Sequence, residues 1–343
     1  MYIASIAAFV WSLIVCVFAI PAIIKIALKN RLFDKPNERT VHERLIPRLG
    51  GVAIFAGFMS AFTIFARINV QDRLIQEIIA ALIVLFFIGL KDDLGGTSVF
   101  KKFFVQVMAT GIVVFFGGIR ISSFYGMLGI YELSVGTSYL FTCVVILGIT
   151  NAMNLIDGLD GLAGSITCLS VFSFAAYFFY YSFEFFTMAL ALLGAVLGFL
   201  RYNFKDAKIF MGDTGSLICG FLLSVFAIEL IEVNHVPNAP NLAIAIIFIP
   251  IFDTIRVAVL RIFSGNSPFT PDQNHIHHVF VQAGLNQRQT VLVLLVINTI
   301  IIGIVASLSA SWSPTILFSI ILGYSVCFLM LLALIKRKTK KLA

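Results

Sequence analysis

Four polar side chains recur at every third position of the stretch NAMNLIDGLDGLAGS: Asn151, Asn154, Asp157 and Asp160. Strongly apolar runs flank them on both sides. Amides and carboxylates can hold a hard cation, orient a phosphate or move a proton. On a helix, a step of three drifts by about 60°. Asn151 and Asn154 can therefore share a face, whereas Asn151 and Asp160 cannot. Gly158 and Gly161 would loosen the helix and re-aim the two carboxylates. Capping of a following helix would account for Asp160, but not for four polar groups.

Three other segments carry related chemistry. GLKDDLGG presents Asp92 and Asp93, which point about 100° apart if helical and so cannot duplicate each other. NFKDAKIFMGDTGS places Asp213 between glycines at a helix start. Backbone N–H groups there favour phosphate oxygens, and Asp213 can ligate a hard cation. Asn203 begins this segment, and Phe210 is expected to be an exposed aromatic beside the site. SGNSPFTPDQNHIHHVFVQAG holds His275, His277 and His278, three of the 5 histidines in the chain. Asp272 and Asn274 stand beside them, and Pro268 and Pro271 restrict the backbone ahead of them. Three histidines can bind zinc, but no second His or Cys group completes a site. The loop better suits phosphate or sugar hydroxyls. Oxygen ligands without cysteine favour Mg²⁺ or Mn²⁺. The implied reaction is phosphoryl transfer between two phosphate-bearing substrates.

Membrane helices must position these segments. The chain of 343 residues is 60% hydrophobic and only 12% charged, against about 25% charged in an average soluble domain. Apolar windows of about 19 residues predict an all-α polytopic membrane protein of eleven helices, near 3–28, 49–66, 74–90, 103–119, 137–153, 162–182, 186–200, 215–231, 241–262, 289–310 and 314–335. They are expected to form one membrane domain over 1–343. The first segment lacks a preceding basic region and reads as a retained span, not a cleaved signal. The 5 cysteines sit inside apolar runs and read as small buried hydrophobes.

Alternating the loops leaves Arg67, Arg73 and Arg120 on one side and the rest of the 24 Lys and Arg on the other. The basic side is then cytoplasmic, with the N-terminus outside and the C-terminus inside. Asp34, Asp92, Asp93, Asp157, Asp160, Asp206, Asp213, Asp253 and Asp272 fall on that cytoplasmic side, and only Asp72 among the aspartates falls outside. Acids at membrane helix ends default to function. The net charge of +7 is a topology signal. Nucleic acid is excluded as a partner, because the basic residues are spread over many short loops without an aromatic platform.

KDDLGG, NAMNLIDGLDGLAG, FMGDTGS, PIFDTIRVAVLR and SPFTPDQNHIHH resemble, in order, the motifs of the polyprenyl-phosphate N-acetylhexosamine-1-phosphate transferases. The combination is most similar to the bacterial undecaprenyl-phosphate GlcNAc-1-phosphate transferases, which start O-antigen, enterobacterial common antigen or teichoic acid assembly. The peptidoglycan branch, which transfers phospho-MurNAc-pentapeptide, carries consecutive histidines followed by Phe-Glu where this chain has HIHHVF. Val279 departs from the basic residue that many members of the GlcNAc branch place there. The resemblance implies that a UDP-N-acetylhexosamine and polyprenyl phosphate give polyprenyl-diphospho-HexNAc and UMP at the bacterial cytoplasmic membrane. It implies that Asp213 and Asn154 hold Mg²⁺, and that Asp92 or Asp93 orients or deprotonates the lipid phosphate. Asp157, Asp160, Asn203 and Phe210 would serve the nucleotide side, and His275, His277 and His278 the sugar or diphosphate. A homodimer is compatible with this reading. A cation-coupled transporter also keeps carboxylates in a helix bundle, but near the midplane and often with repeat symmetry; here they cluster at helix ends and no repeat is evident. A CDP-alcohol-type lipid transferase would show a fixed Gly-Asp spacing that this chain lacks.

Overall fold

A computed structural model describes residues 2–32, 46–66, 73–233, 236–265, 267 and 274–342. Asp34, Arg67, Asp72, Pro268, Pro271 and Asp272, which entered the sequence reading, lie outside the described residues. Every apolar segment expected from the sequence is helical. The helices are α1 (Tyr2–Lys29), α2 (Gly50–Phe65), α3 (Arg73–Gly95), α4 (Val99–Gly111, running into a π-helical turn Ile112–Phe116), α5 (Val135–Ile156), α6 (Leu162–Tyr181) and α7 (Phe183–Asn203). They continue as α8 (Gly212–Glu232), α9 (Ala239–Ile246), α10 (Phe248–Phe263), α11 (Ile276–Gln282), α12 (Gln287–Leu308) and α13 (Pro314–Leu342). Among the described residues, 9 helices are long and apolar enough to cross a membrane, α9 and α10 form a bent pair that could supply a tenth span, and α2 is a shorter apolar helix. The chain is an all-α polytopic membrane protein.

The continuous helix expected over 241–262 is broken: α9 and α10 meet at 76°. Pro250 supplies the reason. It has no N–H to donate to the Ile246 carbonyl, so it can stand in the first turn of a new helix but not inside an old one. The freed Ile246 carbonyl accepts from Asn298 Nδ2 at 3.1 Å and from Ser170 Oγ at 3.0 Å, while Ile249 N donates to Asn298 Oδ1 at 3.0 Å. One buried amide on α12 thus satisfies both sides of the break, as a dry environment demands. A second departure is α11, a short helix where the sequence suggested only a loop.

α8 is buried along almost its whole length, and α2, α3, α5, α6 and α9 pack against it. Close approach depends on glycine at the contact: a Cβ on Gly89 of α3 would stand 2.5 Å from Thr214 Cα, and one on Gly51 of α2 would collide with the backbone of Gly215. Outward faces are apolar, with Ile3, Phe18, Phe100 and Phe263 exposed, as lipid contact requires. The α3 and α5 C-termini, the α4 and α8 N-termini and α11 gather at one end of the bundle. Lys336, near the end of α13, donates to Asn274 Oδ1 there at 3.2 Å. At the opposite end, Tyr2 donates to the Phe179 carbonyl. Glu232 accepts there from Ser122 N and Oγ at 2.8 and 2.7 Å. The two chain ends therefore lie at opposite ends of the bundle.

Candidate active site

Asp92 and Asp93 close the last turns of α3, and their angular offset sends them to different partners. Asp93 turns to the start of α8. Its Oδ1 accepts from Asp213 N at 2.7 Å, and its Oδ2 accepts from Thr214 N at 3.0 Å and from Thr214 Oγ1 at 2.5 Å. It is a cap supplied from another helix, favoured by the positive end of the helix dipole. Gly212 makes room for it: φ is +72°, and a Cβ would stand 2.6 Å from Asp93 Oδ1. This corrects the expectation that the α8 N-terminus offers its N–H groups to phosphate, because two of those groups are already taken by a carboxylate.

Asp92 faces the bundle end. Its Oδ2 accepts from Lys102 Nζ of α4 at 2.8 Å, and the same ammonium donates to Asp213 Oδ2 at 2.8 Å. Asp213 Oδ1 accepts from Asn154 Nδ2, which also donates to Ser216 Oγ at 2.9 Å. Helices α3, α4, α5 and α8 thus converge on one charge cluster. Asn151, although on a face near Asn154, instead donates to Gln106 Oε1 of α4 at 2.7 Å and to the Leu147 carbonyl.

α5 ends at Ile156, and the chain turns through Asp157, Gly158 and Gly161, whose φ of +78° starts α6. Burial, followed by repulsion from Asp213 and Asp93, raises the Asp157 carboxyl to about 7, with partial relief from the Arg48 guanidinium. Asp160 Oδ2 accepts from Ala207 N at 3.2 Å. Asn203 is buried; its Oδ1 accepts from Gly161 N at 2.7 Å and its Nδ2 donates to the Ile209 carbonyl at 2.9 Å. These two side chains bind the 157–161 turn to the 204–211 connection. Phe210 is half-buried where an exposed ring was expected. Its backbone donates to the Pro47 carbonyl and accepts from Gly50 N, both at 2.9 Å.

The histidines reach the same turn from α11. A Cβ on Gly158 would lie 2.6 Å from His277 Nε2, so this imidazole sits against a glycine one residue from Asp157. Burial, with lesser contributions from His278 and His275, pushes His277 down to about 3, which keeps it neutral. Its Nδ1 has no hydrogen-bond partner among the described residues. The His275 ring stacks parallel to His277 with centroids 5.8 Å apart, and His278 lies 4.3 Å from His277.

Residues 75–231 match the model of glycosyl transferase family 4. The chain is 32% identical over 305 residues to a Bacillus subtilis (strain 168) protein named "Probable undecaprenyl-phosphate N-acetylglucosaminyl 1-phosphate transferase", covering 88% of this chain and 83% of that one. It is 31% identical over 308 residues to the undecaprenyl-phosphate alpha-N-acetylglucosaminyl 1-phosphate transferase of Escherichia coli (strain K12), covering 86% and 82%. The Yersinia pestis protein of the same name is 33% identical over 273 residues, covering 77% and 73%. The chain belongs to this family.

In this family 4 transferase, Lys102 is the site residue that the sequence reading missed. It counted there only toward the basic side of the membrane. Its signal was position: KK follows KDDLGG after a turn too short to carry it away from Asp92. Arg48, whose charge acts on Asp157, was missed for the same reason. Among the described residues no three His, Cys, Asp or Glu side chains converge as a metal site. Mg²⁺ does not need three, since it is held by one or two carboxylates with substrate phosphates and water. Asp92 and Asp213 already share one cation, the Lys102 ammonium, so two hard anionic donors do converge at a cation-sized position. The residues fit a divalent ion.

Proposed function

We propose that this protein transfers N-acetylglucosamine-1-phosphate from UDP-N-acetylglucosamine to undecaprenyl phosphate and releases UMP. We place it in the bacterial cytoplasmic membrane with the charged end of the bundle in the cytoplasm, the side favoured by its Lys and Arg. The observation that carries the reading is an apolar groove of about 320 Å³ running beside α5. Phe141, Val145, Ile149 and Ala152 form one wall, and Ala243 and Ile251 of the bent α9–α10 pair form the other. The groove runs along α5 as far as Ala152, about one turn short of the helix end at Ile156, so an isoprenoid chain lying in it would carry its phosphate toward the charged end of the bundle. A transporter would put its acids at the break between α9 and α10; this break is closed by Asn298 and Ser170.

Direct attack needs no covalent enzyme intermediate, because a phosphate monoester is already a nucleophile near neutral pH. A lipid phosphate oxygen bonds to the sugar-bearing phosphorus, the bridging P–O bond breaks, and UMP leaves with the bridging oxygen. Asp92 is placed to orient that phosphate or take its proton. Lys102 can turn from its two carboxylates to the incoming charge. Asp213 and Asp92, with the Asn154 amide beside them, would hold Mg²⁺ or Mn²⁺, whose charge would offset that of two anionic substrates. Asp157 and Asp160 border the turn where the nucleotide would lie, with Asn203 and Phe210 supporting it. His275, His277 and His278 would face the sugar diphosphate. A site built to pair with hydroxyls discriminates strongly, so a plain UDP-N-acetylhexosamine suits these histidines.

The test is purified protein with undecaprenyl phosphate and Mg²⁺, assayed for UMP release from several UDP-sugars. UDP-GlcNAc is expected to give far higher kcat/KM than UDP-MurNAc-pentapeptide. Equal or better use of the muramyl peptide would overturn the choice of sugar, and no UMP from any donor would overturn the reaction.

A further inference from the structure

Asp253 is buried on α10, and the nucleotide-sugar reading does not use it. Its Oδ2 accepts from His275 Nδ1 at 2.8 Å, and its Oδ1 accepts from Ile276 N at 2.9 Å and lies 3.4 Å from Arg256 Nη1. Arg256 also donates to the Asn274 carbonyl at 2.8 Å. The aspartate is 3% exposed and His275 6% exposed, so the pair is shielded from water and its geometry is fixed. A carboxylate can only accept here. It therefore keeps a proton on Nδ1, and of the two ring nitrogens leaves only Nε2 able to serve as an acceptor. The ring lies flat beside His277, which rests against Gly158 next to Asp157.

We propose that Asp253 is a positioning residue: it sets the tautomer and orientation of His275, so that Nε2 accepts a hydrogen bond from the bound nucleotide sugar. This rests on the transfer reaction proposed above. If Asp253 merely anchored α11, an amide of the same shape would serve. In Asp253→Asn the side-chain oxygen could still accept from Ile276 N, but the new NH₂ would then face His275 and force the proton to Nε2.

Asp253→Asn should lower kcat with UDP-GlcNAc by about 10²-fold or more, the scale of loss when a carboxylate-oriented histidine takes its wrong tautomer. KM for undecaprenyl phosphate should stay near the wild-type value. The loss should not add to that of His275→Ala in the double variant. Near-wild-type turnover in Asp253→Asn, or additive losses, would overturn the proposal. A second pair leaves Asp253 intact. His275→Gln puts an amide where Nε2 was, whereas His275→Asn keeps only a donor to Asp253. His275→Gln should be the more active, and the reverse order would mean that anchoring is the whole role. ¹⁵N NMR of histidine-labelled wild-type protein, compared with His275→Ala to assign the signal, should show His275 protonated at Nδ1. That reading stands even if no UDP-sugar is turned over, so failure of the transfer reaction and failure of this proposal are told apart.

Discussion

Asp92 and Asp93 are sequence neighbours with separate duties, and substitutions should separate them. Asp93→Asn removes the charge from a cap that accepts three hydrogen bonds. It should cost about 1–2 kcal/mol of stability, seen as a lower Tm in detergent, with activity per folded molecule falling less. Asp92→Asn should leave Tm near wild type, because it also relieves repulsion with Asp213, yet reduce UMP release by about 10²-fold or more. Equal effects of the two on Tm and rate would refute the division. Asp157 carries a separate, pH-dependent signature. Its folded pKa of about 7 lies above an ordinary carboxylate near 4, so the folded state binds its proton more tightly. The associated stability is fully present below about pH 4 and is lost as pH rises through about 7. Asp157→Asn should therefore flatten the decline of Tm measured between about pH 5 and pH 8. An unchanged slope would mean the carboxyl is not raised.

Broken helices are tolerated in a bilayer only when the freed backbone groups find partners, and Asn298 is the partner at the α9–α10 break. Asn298→Leu keeps roughly the same size and removes both of its hydrogen bonds. A loss of about 1–3 kcal/mol is expected. The shape of the apolar groove depends on the 76° bend, so KM for undecaprenyl phosphate should rise more than KM for the sugar nucleotide. The measurement is Tm together with both KM values. A variant with normal Tm and both constants unchanged would show that Pro250 alone holds the bend.

Across the whole molecule, Lys336 reaches Asn274 beside the site while Tyr2 packs at the far end. The α13 tail and the charged cluster must therefore share one side of the membrane. A reporter fused after Ala343 should be cytoplasmic, and one placed ahead of Tyr2 should be outside. An outside tail would reverse the proposed orientation and detach the site from cytoplasmic sugar nucleotides.

Composition and periodicity alone determine a polytopic all-α protein, and the eleven apolar segments they predict are all helical. In a bilayer every backbone polar group must find a partner inside the protein, and a helix pairs nearly all of its own, so a long apolar run has few alternatives to a helix. The clustering of Asp92, Asn154, Asp157 and Asp213 at one bundle end was also legible, because carboxylates are too costly at the membrane centre to be scattered. Other features depend on which helices meet. A 100° offset separates Asp92 from Asp93, but only packing against α8 says which of them caps and which faces the cation position. Lys102 looked like one more basic residue until the fold brought its ammonium to Asp213 at the start of α8. The role of Asp253 depends on α11 folding back onto α10, a contact between elements that no local pattern encodes. Pro250 marked a breakable point in a run that hydropathy joined into one span. The break holds because an amide on α12, 49 residues beyond Ile249 in the chain, satisfies it.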